Sequence, residues 1–103
     1  MIKESIKDQY QQIISGVFTL EPQIFEDERG LFFESWNEKN FAEYTKKDIS
    51  FVQDNYSLSK KGVIRGLHFQ LPPYSQGKLI RVLNGEIFDV FVDLRKDSKT
   101  FKN

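Results

Sequence analysis

Short apolar runs, broken by Gly, Pro, Asn and clusters of charge, recur along this chain, and most of them read as strands. Residues 1–12 are polar and read as a lead-in. GVFTLEPQIF (Gly16–Phe25) predicts one or two strands, with Pro22 pushing toward an edge position. EDERG (Glu26–Gly30) is a turn signal, and LFFESW (Leu31–Trp36) a strand after it. The best helix lies over residues 37–47, where Asn37 can cap the first turn and Phe41 and Tyr44 share a face. Strand character resumes over Ile49–Ser59, turns at Lys60-Lys61-Gly62, and continues over Val63–Gln70. LPPYSQ (Leu71–Gln76) is a loop, since its two prolines fix φ and remove donors. Leu79–Leu83 and Glu86–Leu94 flank Asn84-Gly85, a strong hairpin signal. Across a two-residue loop Lys78 would face Phe91, Ile80 would face Asp89, and Val82 would face Ile87. That register puts Lys78 and Asp89 on one face. RKDSKTFKN closes the chain with mixed charge and no evident cap. Many short strands and one short helix predict a mainly β sandwich or barrel.

A length of 103 residues suits one small domain, 1–103, without a repeat or an interdomain linker. Fifteen basic side chains balance fifteen acidic ones, so no global field draws the chain to nucleic acid or an anionic membrane. The absence of cysteine excludes disulfides, thiolate metal sites and a cysteine nucleophile. The N-terminal sequence lacks the apolar core of a signal peptide, and no run approaches the ~20 apolar residues of a membrane span. A cytoplasmic location is the expectation. Ten Phe, four Tyr and one Trp agree with a strand-rich fold.

Candidate chemistry gathers between Gln53 and Asp93. His68, the single histidine, lies in an apolar run, and a histidine takes and returns protons near neutral pH. A hydrogen-bonded histidine in a β core is the plainer reading of the same residue. A metal role is weak: Gly62 and His68 have the spacing that opens a cupin metal motif, but Gln70 stands where its second ligand belongs. The Lys78 ammonium could stabilise an enolate oxygen, and the Arg65 guanidinium could hold phosphate, although most such groups are simply solvated. Strict alternation separates Arg65 from His68 unless Gly66 introduces a bulge. Gln53 and Asn55 share strand parity, so their amides can point into one cavity. Arg29 and Glu34 flank an apolar run, where a charged turn and one exposed acid would also account for them. No P-loop, dinucleotide fingerprint, nucleophile elbow or zinc spacing is present.

Six segments together are far more specific than any one residue: DERGLFFE (Asp27–Glu34), QDNYS (Gln53–Ser57), RGLHFQ (Arg65–Gln70), QGKLIRV (Gln76–Val82), GEIFDVFVDLR (Gly85–Arg95) and SKTF (Ser98–Phe101). In this order and spacing they resemble the dTDP-4-dehydrorhamnose 3,5-epimerase family, cupin-type jelly rolls of dTDP-rhamnose synthesis. The resemblance covers nearly everything from residue 16 onward. It implies inversion at C3 and C5 of dTDP-4-dehydro-6-deoxy-glucose, through an enolate stabilised next to the C4 ketone. No cofactor and no metal are implied. His68 would be the base and Lys78 the group beside the C4 oxygen. Arg65 would lie near the sugar or diphosphate, and Arg29 on the diphosphate. Glu34, Gln53 and Asn55 would contact the nucleotide or its linkage, and Phe32 would pack in the nucleotide pocket. The resemblance further implies a homodimer that exchanges N-terminal strands, and a place in lipopolysaccharide O-antigen synthesis.

The likeness is to the N-terminal portion of the family pattern, so the jelly roll is expected to be incomplete. By that pattern the proton-donor Tyr and the Asp that orients the base fall past Asn103. Tyr10, Tyr44, Tyr56 and Tyr74 do not match the donor motif, and Tyr56 stands where many relatives carry a second His. Without the acid, slow proton exchange without efficient inversion is expected. A related 3- or 5-mono-epimerase or an epimerase acting on another nucleotide sugar, a binding-only cupin, and a structural domain without ligand are the alternatives.

Overall fold

The computed structural model describes residues 2–103 and divides into two compact units. One unit is the chain up to Asp48 together with Val92–Asn103; the other is Ile49–Phe91. Regular structure is antiparallel β plus one short helix, consistent with a partial cupin-type fold. No helix among the described residues is long and apolar enough to cross a membrane.

The first unit opens with β1 (Ile2–Lys7) and β2 (Ile13–Glu21), paired antiparallel. This corrects the reading of residues 1–12 as a lead-in; Met1 lies outside the described residues. The turn between the strands is made by a side chain rather than by Gly or Pro. Asp8 accepts hydrogen bonds at Oδ1 from the backbone N–H groups of Tyr10 (2.8 Å) and Gln12 (2.9 Å). Its Oδ2 accepts from Asn103 Nδ2 at 3.1 Å, tying the turn to the last residue. Burial pushes the Asp8 carboxyl up, but the Gln12 N–H, the Asn103 amide and the Tyr10 N–H outweigh it and hold it below the ordinary carboxylate range.

Pro22 separates β2 from β3 (Ile24–Asp27), which pairs with β4 (Gly30–Phe33) in the register Ile24↔Phe33, Phe25↔Phe32 and Asp27↔Gly30. Asp at the first turn position and Gly at the fourth is the side-chain signature of a type I turn. Gly30 takes φ +132°, a conformation that side chains bearing a Cβ rarely adopt.

The expected helix is α1 (Glu38–Thr45). Asn37 caps it, its Oδ1 accepting from the Asn40 N–H at 2.9 Å, and Lys46 ends it in the left-handed region with its N–H on Ala42 O. The helix buries Phe41, whose ring centroid lies 5.0 Å from that of Trp36. Among the described residues, Phe41 and Ile14 are the buried apolar side chains. Asn37→Ala is expected to lower stability by about 1 kcal/mol, measured by urea unfolding followed through Trp36 fluorescence.

The end of the chain returns to this unit and folds around one carboxylate. Asp93 accepts from the Arg95 N–H (3.0 Å), Arg95 Nε and Nη2 (both 2.9 Å), Thr100 Oγ1 (2.6 Å) and Ser98 Oγ. Its backbone carbonyl accepts from the Lys102 N–H at 2.6 Å. The Asp93 side chain is 2% exposed. Arg95 chiefly, with the two hydroxyls and its own backbone N–H, holds the carboxyl far below the ordinary range against the opposing effect of burial. Arg95 also passes over β2: a Cβ at Gly16 would lie 3.8 Å from its Nη1. The segment without an evident cap is therefore the most densely hydrogen-bonded turn among the described residues.

In the second unit the expected turns form. Val63 N–H bonds to Lys60 O at 3.2 Å with Gly62 at φ +85°, and Tyr74 N–H bonds to Leu71 O at 2.8 Å within the Pro loop. The expected strands do not. No residue of Ile49–Phe91 is assigned to helix or strand, and Val52, Ile64 and Phe88 are all more than 90% exposed. The register pairing Lys78 with Phe91, Ile80 with Asp89 and Val82 with Ile87 is absent, because no ladder joins these segments. Gly85 takes φ +85° but Asn84 keeps negative φ, so the turn that would close the hairpin is not of the doubly left-handed kind. An apolar alternation becomes a strand only when a second backbone satisfies its N–H and C=O groups and another layer covers its face, and a lone hairpin is marginal in water. Amides of residues 49–91 are accordingly expected to exchange far faster than those of β1 and β2, as read by hydrogen–deuterium exchange and mass spectrometry.

Candidate functional site

In the first unit, Arg29, Phe32 and Glu34 are set by the β3–β4 hairpin and the start of α1. Arg29 sits in the two-residue turn. Its Nη2 donates to Asp27 Oδ2 at 2.6 Å, and its Nε lies 3.2 and 3.4 Å from the two Asp27 oxygens. The Arg29 backbone N–H also donates to Asp27 Oδ1, at 2.9 Å. This side chain chiefly, and then that N–H, lower the Asp27 carboxyl below its usual range. Phe32 is 69% exposed and pairs across the ladder with Phe25, itself 57% exposed. Arg29 and both rings line a concavity of about 500 Å³. The hairpin thus offers two aromatic faces and a guanidinium side by side, a combination that suits a base or sugar attached to phosphate.

Glu34 follows β4 directly. Its Oε1 accepts from Asn40 Nδ2 and its Oε2 from Asn37 Nδ2, each at 3.3 Å. The residue that caps α1 therefore also holds Glu34, and the acid lies against the helix N-terminus, where negative charge is favoured.

In the second unit, Gln53 Nε2 donates to Asn55 Oδ1 at 3.2 Å, although neither residue lies in a strand. Arg65 Nε donates to Ser59 Oγ at 3.0 Å. His68 and Lys78 are exposed, and no hydrogen bond among the described residues joins either to the other or to Arg65. The parity argument separating Arg65 from His68 lapses, since neither lies in a strand. Gly66 matters in another way. It takes φ +105°, and a Cβ there would stand 3.2 Å from His68 Nδ1 and 3.5 Å from the His68 backbone nitrogen. The imidazole folds back over a position only glycine leaves open. No group of three or more His, Asp or Glu side chains that could hold a metal ion occurs among the described residues.

Three supporting residues were not singled out from the sequence: Asp27 beneath Arg29, Asn40 on Glu34 and Ser59 on Arg65. The Asp-x-x-Gly turn spacing carried the signal for the first. The other two contacts span six residues each and leave no local pattern.

Comparison with known proteins bears on all of these residues at once. The sequence profile described as dTDP-4-dehydrorhamnose 3,5-epimerase matches residues 11–103. Proteins named dTDP-4-dehydrorhamnose 3,5-epimerase from Shigella flexneri, Salmonella typhimurium and Pseudomonas aeruginosa are 58%, 57% and 53% identical to it over 88 residues. Those alignments take in 85% of this chain and 49%, 48% and 48% of the three relatives. The chain thus spans about half the length of the curated relatives it matches. No solved structure gives a significant match. With the profile covering most of its residues, the chain belongs to the dTDP-4-dehydrorhamnose 3,5-epimerase family.

Proposed function

We propose that this chain supplies the base and the nucleotide-facing residues of an epimerase site acting at C3 and C5 of dTDP-4-dehydro-6-deoxy-glucose. The observation that carries the reading is the family match over residues 11–103, which takes in every candidate residue. Both carbons neighbour the C4 ketone, so loss of either proton leaves an enolate. His68 takes the proton on its free imidazole nitrogen and becomes imidazolium. The Lys78 ammonium lies beside the C4 oxygen and stabilises the negative charge gathering there. Inversion requires a proton from an acid on the opposite face, a group that none of the residues named here provides. Without it the enolate is reprotonated by the His68 imidazolium on the original face or by water, and the ketone is restored.

Arg29 and Arg65 bind the diphosphate and its sugar side, while Glu34, Gln53 and Asn55 contact the nucleotide or its linkage. Phe32 packs on the base. The aromatic and guanidinium surface of the hairpin supports the roles of Arg29 and Phe32. The reading takes 1–103 as one domain that works without cofactor or metal. The same reading makes the chain a cytoplasmic homodimer exchanging N-terminal strands, active in dTDP-rhamnose and O-antigen synthesis, with neither nucleic acid nor membrane as a partner. A binding-only role is the second reading. It draws on the formed Arg29–Asp27 and Gln53–Asn55 contacts beside an unjoined His68 and Lys78.

The test is the position of deuterium in the sugar after incubation with the chain in D₂O, read by NMR. Label at both C3 and C5 supports the 3,5-epimerase, and label at one carbon a mono-epimerase. No label, with dTDP bound, establishes the binding-only role.

A further inference from the structure

We propose that Asp27 is a positioning residue that turns Arg29 toward a nucleoside diphosphate. The inference rests on the reading of Arg29 as a diphosphate ligand and adds to it the group that aims the guanidinium. Arginine has five N–H donors in one plane and a long, freely rotating stem. Left alone on a turn that exposes 85% of its side chain, it would sample many directions. Asp27 removes that freedom. It accepts from Nε and Nη2 along one edge of the guanidinium, at 3.2 and 2.6 Å, and from the Arg29 backbone N–H at 2.9 Å. The second Nη2 hydrogen and one Nη1 hydrogen stay available side by side at the end of the guanidinium, the fork that pairs with two phosphate oxygens.

The position is fixed as tightly as the contact. Asp27 is the last residue of β3 and pairs with Gly30, the first of β4, so the two-residue turn places the carboxylate at the base of the Arg29 side chain. The concavity beside it holds Phe25 and Phe32, against which the rest of a nucleotide can lie. The same carboxylate is half-exposed, and if it were only a competing anion, removing it would strengthen phosphate binding. The two roles therefore predict opposite signs.

The experiment measures binding of dTDP and of thymidine, which lacks phosphate, to the full 103-residue chain and its variants by calorimetry. Asp27→Asn keeps an oxygen for the turn N–H and loses the charged clamp. It is expected to weaken dTDP binding by about two- to fivefold, as for an exposed ion pair, and to leave thymidine binding unchanged. Arg29→Gln is expected to weaken dTDP binding by about tenfold or more. In that background Asp27→Asn should add nothing. Equal or tighter dTDP binding by Asp27→Asn, with Arg29→Gln impaired, would overturn the positioning role and leave the diphosphate reading intact. A parallel loss of thymidine binding would make Asp27 a fold residue only, and overturn it as well. An unaffected Arg29→Gln, or no dTDP binding by the parent chain, would remove the diphosphate reading and this proposal with it.

Discussion

Replacing His68 with alanine is expected to slow exchange of the sugar C3 and C5 protons for deuterium by at least ~10²-fold, the lower end of what a placed acid–base group contributes. The effect is large because nothing else on the chain duplicates the group: His68 is the single histidine. An ammonium or a guanidinium, the group types of Lys78 and Arg65, has no free lone pair with which to take a proton. The side chain is exposed, so its removal opens no cavity and leaves no buried partner unsatisfied. Unfolding is checked by Trp36 fluorescence, since that ring packs on Phe41 in the other unit and reports on α1. Unaltered exchange in His68→Ala would assign the base elsewhere.

Asp93→Ala has the largest expected effect on stability, about 2–4 kcal/mol at neutral pH. The alanine removes the acceptor of three Arg95 donors and two hydroxyls, and leaves the Thr100 hydroxyl buried, with that residue 2% exposed. Ser98 and Thr100 still face each other at 3.1 Å, which recovers part of the loss. The sign of the pH dependence follows from the direction of the shift. The folded carboxyl titrates far below the unfolded one, so the folded state favours the ionised form. The stabilisation is therefore complete above the unfolded value of about 3.9 and lost as pH falls through and below it. Urea unfolding at pH 7 and at pH 3 should show the gap between parent and Asp93→Ala narrowing at the lower pH. A gap that does not change with pH would mean that the segment is held by packing and not by the ionised carboxylate.

The contrast between Asp93 and the strands beside it explains what could be read in advance. The β3–β4 hairpin and α1 were legible because their signals are local: Asp27 and Gly30 bracket a four-residue turn, and Asn37 caps the helix three residues from the N–H it accepts. The β1–β2 turn was missed because Asp8, with no Gly or Pro nearby, does the work of both through its side chain. The Asp93 knot was missed for the same reason, its ligands being ordinary Arg, Ser and Thr residues. The segments from Ile49 to Phe91 carry strand composition, but pairing is not a property of one segment. Leu79–Leu83 beside Asn84-Gly85 has the right residues and still forms no ladder.

The candidate site divides in the same manner. The family was legible in the order of the sequence segments, and the profile match over residues 11–103 agrees. Gln53 and Asn55 do meet, but outside any strand, so parity does not account for the contact. The predicted placement of Lys78 and Asp89 on one sheet face did not survive, because it depended on a ladder. What aims each group, whether Asp27 under Arg29 or Asn37 and Asn40 under Glu34, emerges only from the folded turn and helix cap.

Proton abstraction by His68 is the central claim, and the most direct measurement is the initial rate of deuterium entry at C3 and C5 with the parent chain and His68→Ala side by side. The expected result is exchange by the parent and a rate indistinguishable from buffer for the variant. Equal rates for the two, or no exchange by a parent chain that binds dTDP, would contradict it.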